Sequence, residues 1–575
     1  MNFLKKYINK YWKLFCAGVS CLTIEALCDL MQPTIMSKII DIGVKKRAII
    51  YVERFGILML LITAVGAIAA VSRNIIASTV SQKFGAELRE DLFVKIQSFS
   101  FDNINNFEGA TLVTRLTNDV TQVQNFANGL MRIFVKAPIV CIGSIIMAVH
   151  LNYHMAGVLG ITIPMAGILI VLNMKIGFPL FMKVQRSLDK VNSVMREYLT
   201  GVRVVKAFNR FNYESERFEK ANNELVSVST TAMKVMSVFS PGISLFVNLG
   251  ITAVLWIGGN WVSHGKMQVG QIIAFTNYMT QILFSLMMIS NVFTMFVRAK
   301  ASTERIGEVF ALENTMKFNE VSNDTSEVFG RVDFENVSFS YEGKNGQAVI
   351  KNVSFTCLPG ETIGIIGSTG SGKTSLVSLI PRFYDGTSGT IKVDGIDVKD
   401  ISLKNLREKI AVVPQKNVLF TGTIAENIKW GKENASFEEV IQAAKISEAH
   451  DFISTFPEKY DTMLGQGGVN LSGGQKQRVS IARALIKNPE ILILDDCTSA
   501  VDMVTEAKIR KSLKDYSKRL TSIIIGQRIT SVMTADKIIV LDNGEIAGLG
   551  KHDELMKECS IYQDIFYSQI GKEGI

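Results

Sequence analysis

Eight consecutive residues, Gly367-Ser368-Thr369-Gly370-Ser371-Gly372-Lys373-Thr374, carry the spacing GxxxxGK[ST] of a phosphate-binding loop. The run ETIGIIG before them reads as a strand and TSLVSLI after them as the start of a helix, which is the context the loop requires. Glycines let successive backbone N–H groups wrap phosphate oxygens, and a helix N-terminus adds partial positive charge. Lys373 is spaced to reach β- and γ-phosphates, and Thr374 to offer a hydroxyl to Mg²⁺. Further along, Ile491-Leu492-Ile493-Leu494-Asp495-Asp496 is an apolar run that ends in two carboxylates. A carboxylate at the end of a buried strand holds Mg²⁺ opposite such a loop, and Asp495 has that place. An apolar run ending in acids is weak evidence alone; downstream of the loop it is persuasive.

Between these elements lies Asn470-Leu471-Ser472-Gly473-Gly474-Gln475-Lys476-Gln477-Arg478. With it the chain resembles the ABC transporter family, whose signature is LSGGQ. The resemblance covers nearly the whole chain and implies ATP and Mg²⁺ as cofactors, with Ser375 joining the loop residues around the phosphates. Tyr341 resembles the aromatic that stacks on adenine. Gln415, in VVPQ, matches the family's Q-loop, which contacts Mg²⁺ and faces the membrane domain. Ser499-Ala500-Val501-Asp502 matches its D-loop. The family pairs two nucleotide domains head to tail, so each ATP lies between the phosphate loop of one and Ser472, Gly473, Gly474 and Gln475 of the other. One chain then owns half of each of two sites.

Two positions depart from the family. The residue after the Mg²⁺ aspartate is Asp496, where the family places a glutamate that polarises the attacking water. The strand TSIIIG is followed by Gln527, where the family places a switch histidine. Asp is one methylene short, about 1 Å, and a misplacement of that size costs on the order of 10²-fold in rate. Gln can bond a γ-phosphate but carries no titratable proton. Both fall beside the chain's own phosphate loop, whereas the signature is intact. That asymmetry resembles the degenerate-site subunit of heterodimeric ABC exporters, and implies as partner a second half-transporter with Glu and His at these places.

The elements that must position these residues form two halves. Of 575 residues, 47% are hydrophobic and 20% charged, a mixture that points to one membrane region and one soluble region. The net charge of +9 fits an anionic membrane surface; no base-reading module accompanies it, so no nucleic acid partner is expected. Residues 1–300 read as an all-α membrane domain with six spans, about 14–40, 55–80, 126–150, 155–178, 240–262 and 268–297. The connections after the second and fourth spans are long, polar and helix-forming, and resemble the intracellular loops of ABC exporters, with short coupling helices near 103–112 and 209–216. Lys and Arg before the first span and along these loops put both termini in the cytoplasm of a multi-pass cell-membrane protein, although Lys45, Lys46 and Arg47 lie on the opposite side. Residues 301–330 turn polar and read as a linker. From 331 to 575, short β-branched runs alternate with helical segments, an α/β nucleotide-binding domain with a largely parallel sheet.

Glu25 and Asp29 lie four apart inside the first span, on one helical face. Carboxylates there face the bundle interior, either as a cavity that receives cationic cargo or as a structural polar cluster. Counting along the spans places Arg73 near the inner face and away from Glu25. The sequence therefore reads as an ATP-driven exporter of amphipathic or apolar compounds, embedded in a lipid bilayer. A homodimer with two weak sites, an importer of metal chelates and an ATP-binding sensor remain as alternatives.

Overall fold

The computed structural model describes residues 2–105, 107, 109–316, 329–343, 346–516 and 519–570. The chain divides into two compact units, Met1–Gln97 with Glu108–Glu313, and Ser98–Phe107 with Asn314–Ile575.

The first unit is helical. Among the described residues, six stretches are long and apolar enough to cross a bilayer: Phe3–Val44, Ile49–Gln97, Thr111–Leu151, Ala156–Ala207, Phe211–Ser263 and Val269–Ile289. Four of the expected spans fall within them; 155–178 begins one residue before Ala156, and 268–297 begins one residue before Val269 and runs past Ile289 along the helix Val269–Ala311. Helix Ile49–Gln97 has 49 residues; at ~1.5 Å per residue it is about twice the ~30 Å of a hydrocarbon core. Large apolar side chains such as Leu60, Ile161 and Trp256 are exposed on this unit, a surface suited to lipid. On the helix ends that extend past the bilayer the ties become polar. Lys6 and Tyr7 bond Asp91 at 2.7 and 2.5 Å, and Lys10 and Tyr11 both bond Glu87. The i,i+4 spacing on both helices makes this a repeated clasp.

The last helix, Val269–Ala311, is held at two places by buried aspartates that sit in π-helical turns. Asp41, in Ile39–Val44, accepts the Gly270 N–H at 2.7 Å and the Ser37 hydroxyl at 3.0 Å. Asp119, in Arg115–Asp119, accepts the Ser302 hydroxyl at 2.9 Å and the Arg305 guanidinium through both oxygens. A π turn inserts one residue into the helix and so shifts the register of the side chains that follow.

Two expectations need correction here. Arg73 Nη1 lies 3.0 Å from the Glu25 carboxylate, not apart from it, and Lys136 Nζ lies 2.6 Å from Glu25 and 3.0 Å from Asp29. Counting Cα positions ignores the length of Arg and Lys side chains, which reach several ångströms along a helix. Two acids thus meet two cations, which favours the structural polar cluster over a cavity for cationic cargo. The coupling-helix positions also shift. The chain forms a five-residue helix, Phe101–Asn105, and resumes at Gly109–Thr114. Near 209–216 no separate short helix exists among the described residues: Ala156–Ala207 ends, Asn209 takes a left-handed φ of 51°, and Phe211–Met236 begins. Asn tolerates that conformation better than most residues.

The second unit is α/β. Its main sheet runs, edge to edge, Glu545–Gly550, Lys537–Asp542, Thr362–Gly367, Thr521–Ile525, Ile491–Asp495 and Ile410–Val413. All neighbours pair in parallel except the first two. The interior strand Ile491–Asp495 is buried at every residue, which is why it reads as a continuous apolar run. An antiparallel sheet of Ile350–Cys357, Val332–Phe339, Ser388–Val393 and Ile396–Asp397 accompanies it. Segment Ser98–Phe107 belongs to this unit: Phe101 packs on Phe383 and Tyr384, and Asn105 donates to the Tyr384 hydroxyl at 3.0 Å. Of the expected linker, residues up to Ala311 continue the last helix, and 317–328 lie outside the described residues.

Gly270→Ala tests the clasp that Asp41 makes on the last helix. A Cβ at Gly270 would stand 2.4 Å from the Ser37 carbonyl oxygen and 2.7 Å from Asp41 Oδ2. The expected cost is about 1–3 kcal/mol, read as a lower unfolding temperature of the chain in lipid nanodiscs. Asp41→Ala leaves the Gly270 N–H unpaired and should lower it similarly; unchanged melting in both would remove the clasp from the account.

Candidate nucleotide site

The phosphate loop leaves the carboxyl end of the central strand Thr362–Gly367, flanked by Lys537–Asp542 and Thr521–Ile525. Open parallel sheets place ligands at this edge. Gly367 is required by packing, since a Cβ there would lie 2.0 Å from the Leu541 carbonyl oxygen. Gly370 and Gly372 have φ of 85° and 99°, where a side chain is strained. Lys373 Nζ folds back on the loop and donates to the carbonyls of Gly367 at 2.9 Å and Ser368 at 2.7 Å. Burial lowers its pKa from the usual lysine range, against the pull of Asp495 and Asp496.

Thr374 Oγ1 donates to Asp495 Oδ1 at 3.1 Å, so the hydroxyl and carboxylate expected to share Mg²⁺ already meet. Burial raises the Asp495 pKa, a shift that a cation alongside would oppose. Asp496 has a left-handed φ of 47°, uncommon for a residue with a Cβ. Its Oδ2 accepts two amides, Gln527 Nε2 at 2.7 Å and Gln415 Nε2 at 3.2 Å. Burial raises its pKa, while the side-chain hydrogen bond from Gln415 and a backbone hydrogen bond from Gln527 oppose the rise. The two departures from the family pattern are thus hydrogen-bonded to each other. Gln415, expected at Mg²⁺, donates to the same carboxylate oxygen.

These groups line one cavity of about 460 Å³, together with Ser368, Thr369 and Ser375. Ser371 is buried beneath the loop. The half-exposed Tyr341 stands at the cavity's flank, its hydroxyl 2.8 Å from Ser375 Oγ and its ring edge-on to Tyr384. A lysine ammonium, a glycine-wrapped loop and a hydroxyl–carboxylate pair of hard oxygens fit a magnesium nucleotide, the cation taking the rest of its shell from phosphates.

Other expected residues are not brought to this cavity. Ser472 caps helix Gly473–Leu485 reciprocally with Gln475, and Ser472 and Gly473 are exposed. Gly474 lies against the D-loop, where a Cβ would come 2.8 Å from the Ala500 carbonyl oxygen. Asp502 caps the helix Met503–Tyr516 by accepting the Thr505 N–H at 2.9 Å. One wall went unread in the sequence: Ile565, Ser568 and Gln569, from the C-terminal helix Ser560–Ile570, also line the cavity. No motif marks that helix, and only folding brings it here.

Residues 15–287 match the family of the ABC transporter transmembrane region, and residues 350–499 match the ABC transporter family. The chain is 42% identical to the uncharacterized ABC transporter ATP-binding protein YfiB of Bacillus subtilis, over 100% of this chain and 99% of that one. It is 34% identical to the putative multidrug export ATP-binding/permease protein YgaD of the same organism, over 86% of each. A solved bacterial Atm1-family ABC exporter with ATP bound superposes with a TM-score of 0.78 at 25% identity, covering 99% of both chains. The chain belongs to the ABC transporter family, as an exporter half-transporter of the cell membrane whose cytoplasmic ATPase domain drives transport.

Proposed function

We propose that this chain is the degenerate-site half of a heterodimeric exporter of amphipathic or apolar compounds. The observation that carries the reading is the Gln527–Asp496 hydrogen bond of 2.7 Å inside the chain's own phosphate cavity. With Gln415 on the same oxygen, both amides occupy the Oδ2 atom that a base would turn toward water. Neither amide can relay a proton. Lys373, the loop glycines, Thr374 and Asp495 bind and orient the nucleotide, and Tyr341 stacks on its base. Asp496 sits too far back, by about 1 Å, to polarise water efficiently.

The signature supports the other half of the reading. Ser472 and Gln475 pre-form the N-terminus of their helix by mutual capping, and Ser472 and Gly473 remain exposed. In the heterodimer these residues close over the partner's phosphate loop, and Asp502 at the D-loop adjoins them. A partner with Glu and His then hydrolyses ATP at the competent site. The cargo class is supported by the internal pairing of Glu25 and Asp29 and by the multidrug export named for a relative.

ATP hydrolysis by the chain alone in lipid nanodiscs, with Lys373→Ala as the blank, tests the assembly. The expected result is ATP binding that Lys373→Ala abolishes, with a wild-type rate no better than the blank. A brisk rate lost in the blank would mean that Asp496 and Gln527 suffice and the chain is a self-sufficient homodimer. A second measurement addresses the chemistry. In nanodiscs that hold two copies of the chain, Asp496→Glu combined with Gln527→His should lift the rate above the blank, by up to about 10²-fold; no rise with both copies present would acquit these residues.

A further inference from the structure

The C-terminal helix does more than close one wall of the cavity. Gln569 spans the turn that carries Gln527. Its Nε2 donates to the Gln527 carbonyl at 2.9 Å, and its Oε1 accepts the Ile529 N–H at 2.7 Å. One side-chain amide therefore holds the backbone on both sides of Arg528. Gln527 in turn donates to Asp496. The three residues form a series, from the end of the chain to the carboxylate in the cavity.

The helix that carries Gln569 is firmly seated. Tyr562 and Phe566 are buried against Ile529 and Val532, the residues that follow the turn. Tyr562 is fully buried and its hydroxyl lies 2.8 Å from His552 Nδ1. Gln563 Nε2 donates to the Met556 carbonyl at 2.8 Å. Other ties hold the turn elsewhere: the Gly526 N–H reaches the Ile365 carbonyl at 3.1 Å, and Arg510 reaches the Thr530 carbonyl at 2.6 Å. The turn is thus anchored before and after Gln527, and Gln569 grips the stretch between.

We propose that Gln569 is a positioning residue that holds Gln527 where it meets the γ-phosphate, so that the C-terminal helix sets the preference of this cavity for nucleoside triphosphate over diphosphate. The proposal rests on the reading of the cavity as the chain's own ATP site. A γ-phosphate contact discriminates ATP from ADP only if the donor is held in place beforehand; a free side chain loses the gain to ordering entropy. Gln569 acts through the backbone of the Gln527 turn, so its effect should fall on the terminal phosphate alone.

The test is equilibrium binding of MgATP and MgADP to the full chain in lipid nanodiscs, in a double-mutant cycle. Gln569→Ala should lower the ATP-over-ADP ratio about fivefold, the worth of one neutral hydrogen bond, with ADP affinity unchanged. Gln527→Ala should lower the ratio at least as much, and adding Gln569→Ala to it should change nothing further. Gln569→Met keeps the length of the side chain and adds no charge but loses both hydrogen bonds to the turn. It leaves the helix seated and should still lower the ratio, even if Gln569→Ala misfolds. Equal weakening of ATP and ADP, or a Gln569→Ala effect that persists beside Gln527→Ala, would reduce Gln569 to a structural tie and overturn the proposal. If wild-type chain binds MgATP but shows no preference over MgADP, the γ-phosphate role of Gln527 falls and the proposal with it. If it binds neither, the ATP-site reading itself has failed.

Discussion

A peptide group inside hydrocarbon has no water to bond, so each crossing segment must satisfy its N–H and C=O groups within its own helix. The first unit follows from that constraint. Its helices run for up to 52 residues, and several of them carry π turns, which keep the backbone bonded while shifting the register of the side chains. Charges obey the same rule. Glu25, Asp29, Arg73 and Lys136 come as two acids with two bases, because an unpaired buried charge is far more costly than a paired one.

The second unit has the opposite solvent and the opposite solution. Its sheet buries strands on both faces, and the polar work is done where the strands end. Gly367, Asp495 and Gly526 all lie at the carboxyl ends of adjacent parallel strands. The register of the sheet therefore sets the distances between the Gly367–Thr374 loop, the Asp495 carboxylate and the turn at Gly526. The tight contact of Gly367 with the Leu541 carbonyl shows how little slack that register leaves. Asp496 adopts its left-handed backbone one residue beyond the strand, so its carboxylate meets amides from two other segments.

Legibility in the sequence followed the range of the interaction. Gly367 to Thr374 were readable because a phosphate loop is a local device, and the six spans because lipid imposes long apolar runs. Asp496 and Gln527 were readable as departures, but their mutual hydrogen bond was not, since 31 residues separate them. Gln569 was silent: it lies 42 residues from Gln527, on a helix with no motif of its own. Arg73 was misplaced because depth was counted along the backbone, whereas the ion pair forms at the tip of a long side chain. The coupling helices were misplaced because a short helix between two long ones depends on where neighbours stop it, as at Asn209.

The two aspartates that hold the last helix have a mechanical meaning. From Gly270 to Ser302 the helix is continuous, about 48 Å at ~1.5 Å per residue. Sliding it along its axis by one turn would break the Asp41 and Asp119 bonds together, because both are directional and both sit on fixed neighbours. Tilting it with those neighbours breaks neither. Two directional bonds so far apart oppose axial sliding of this helix.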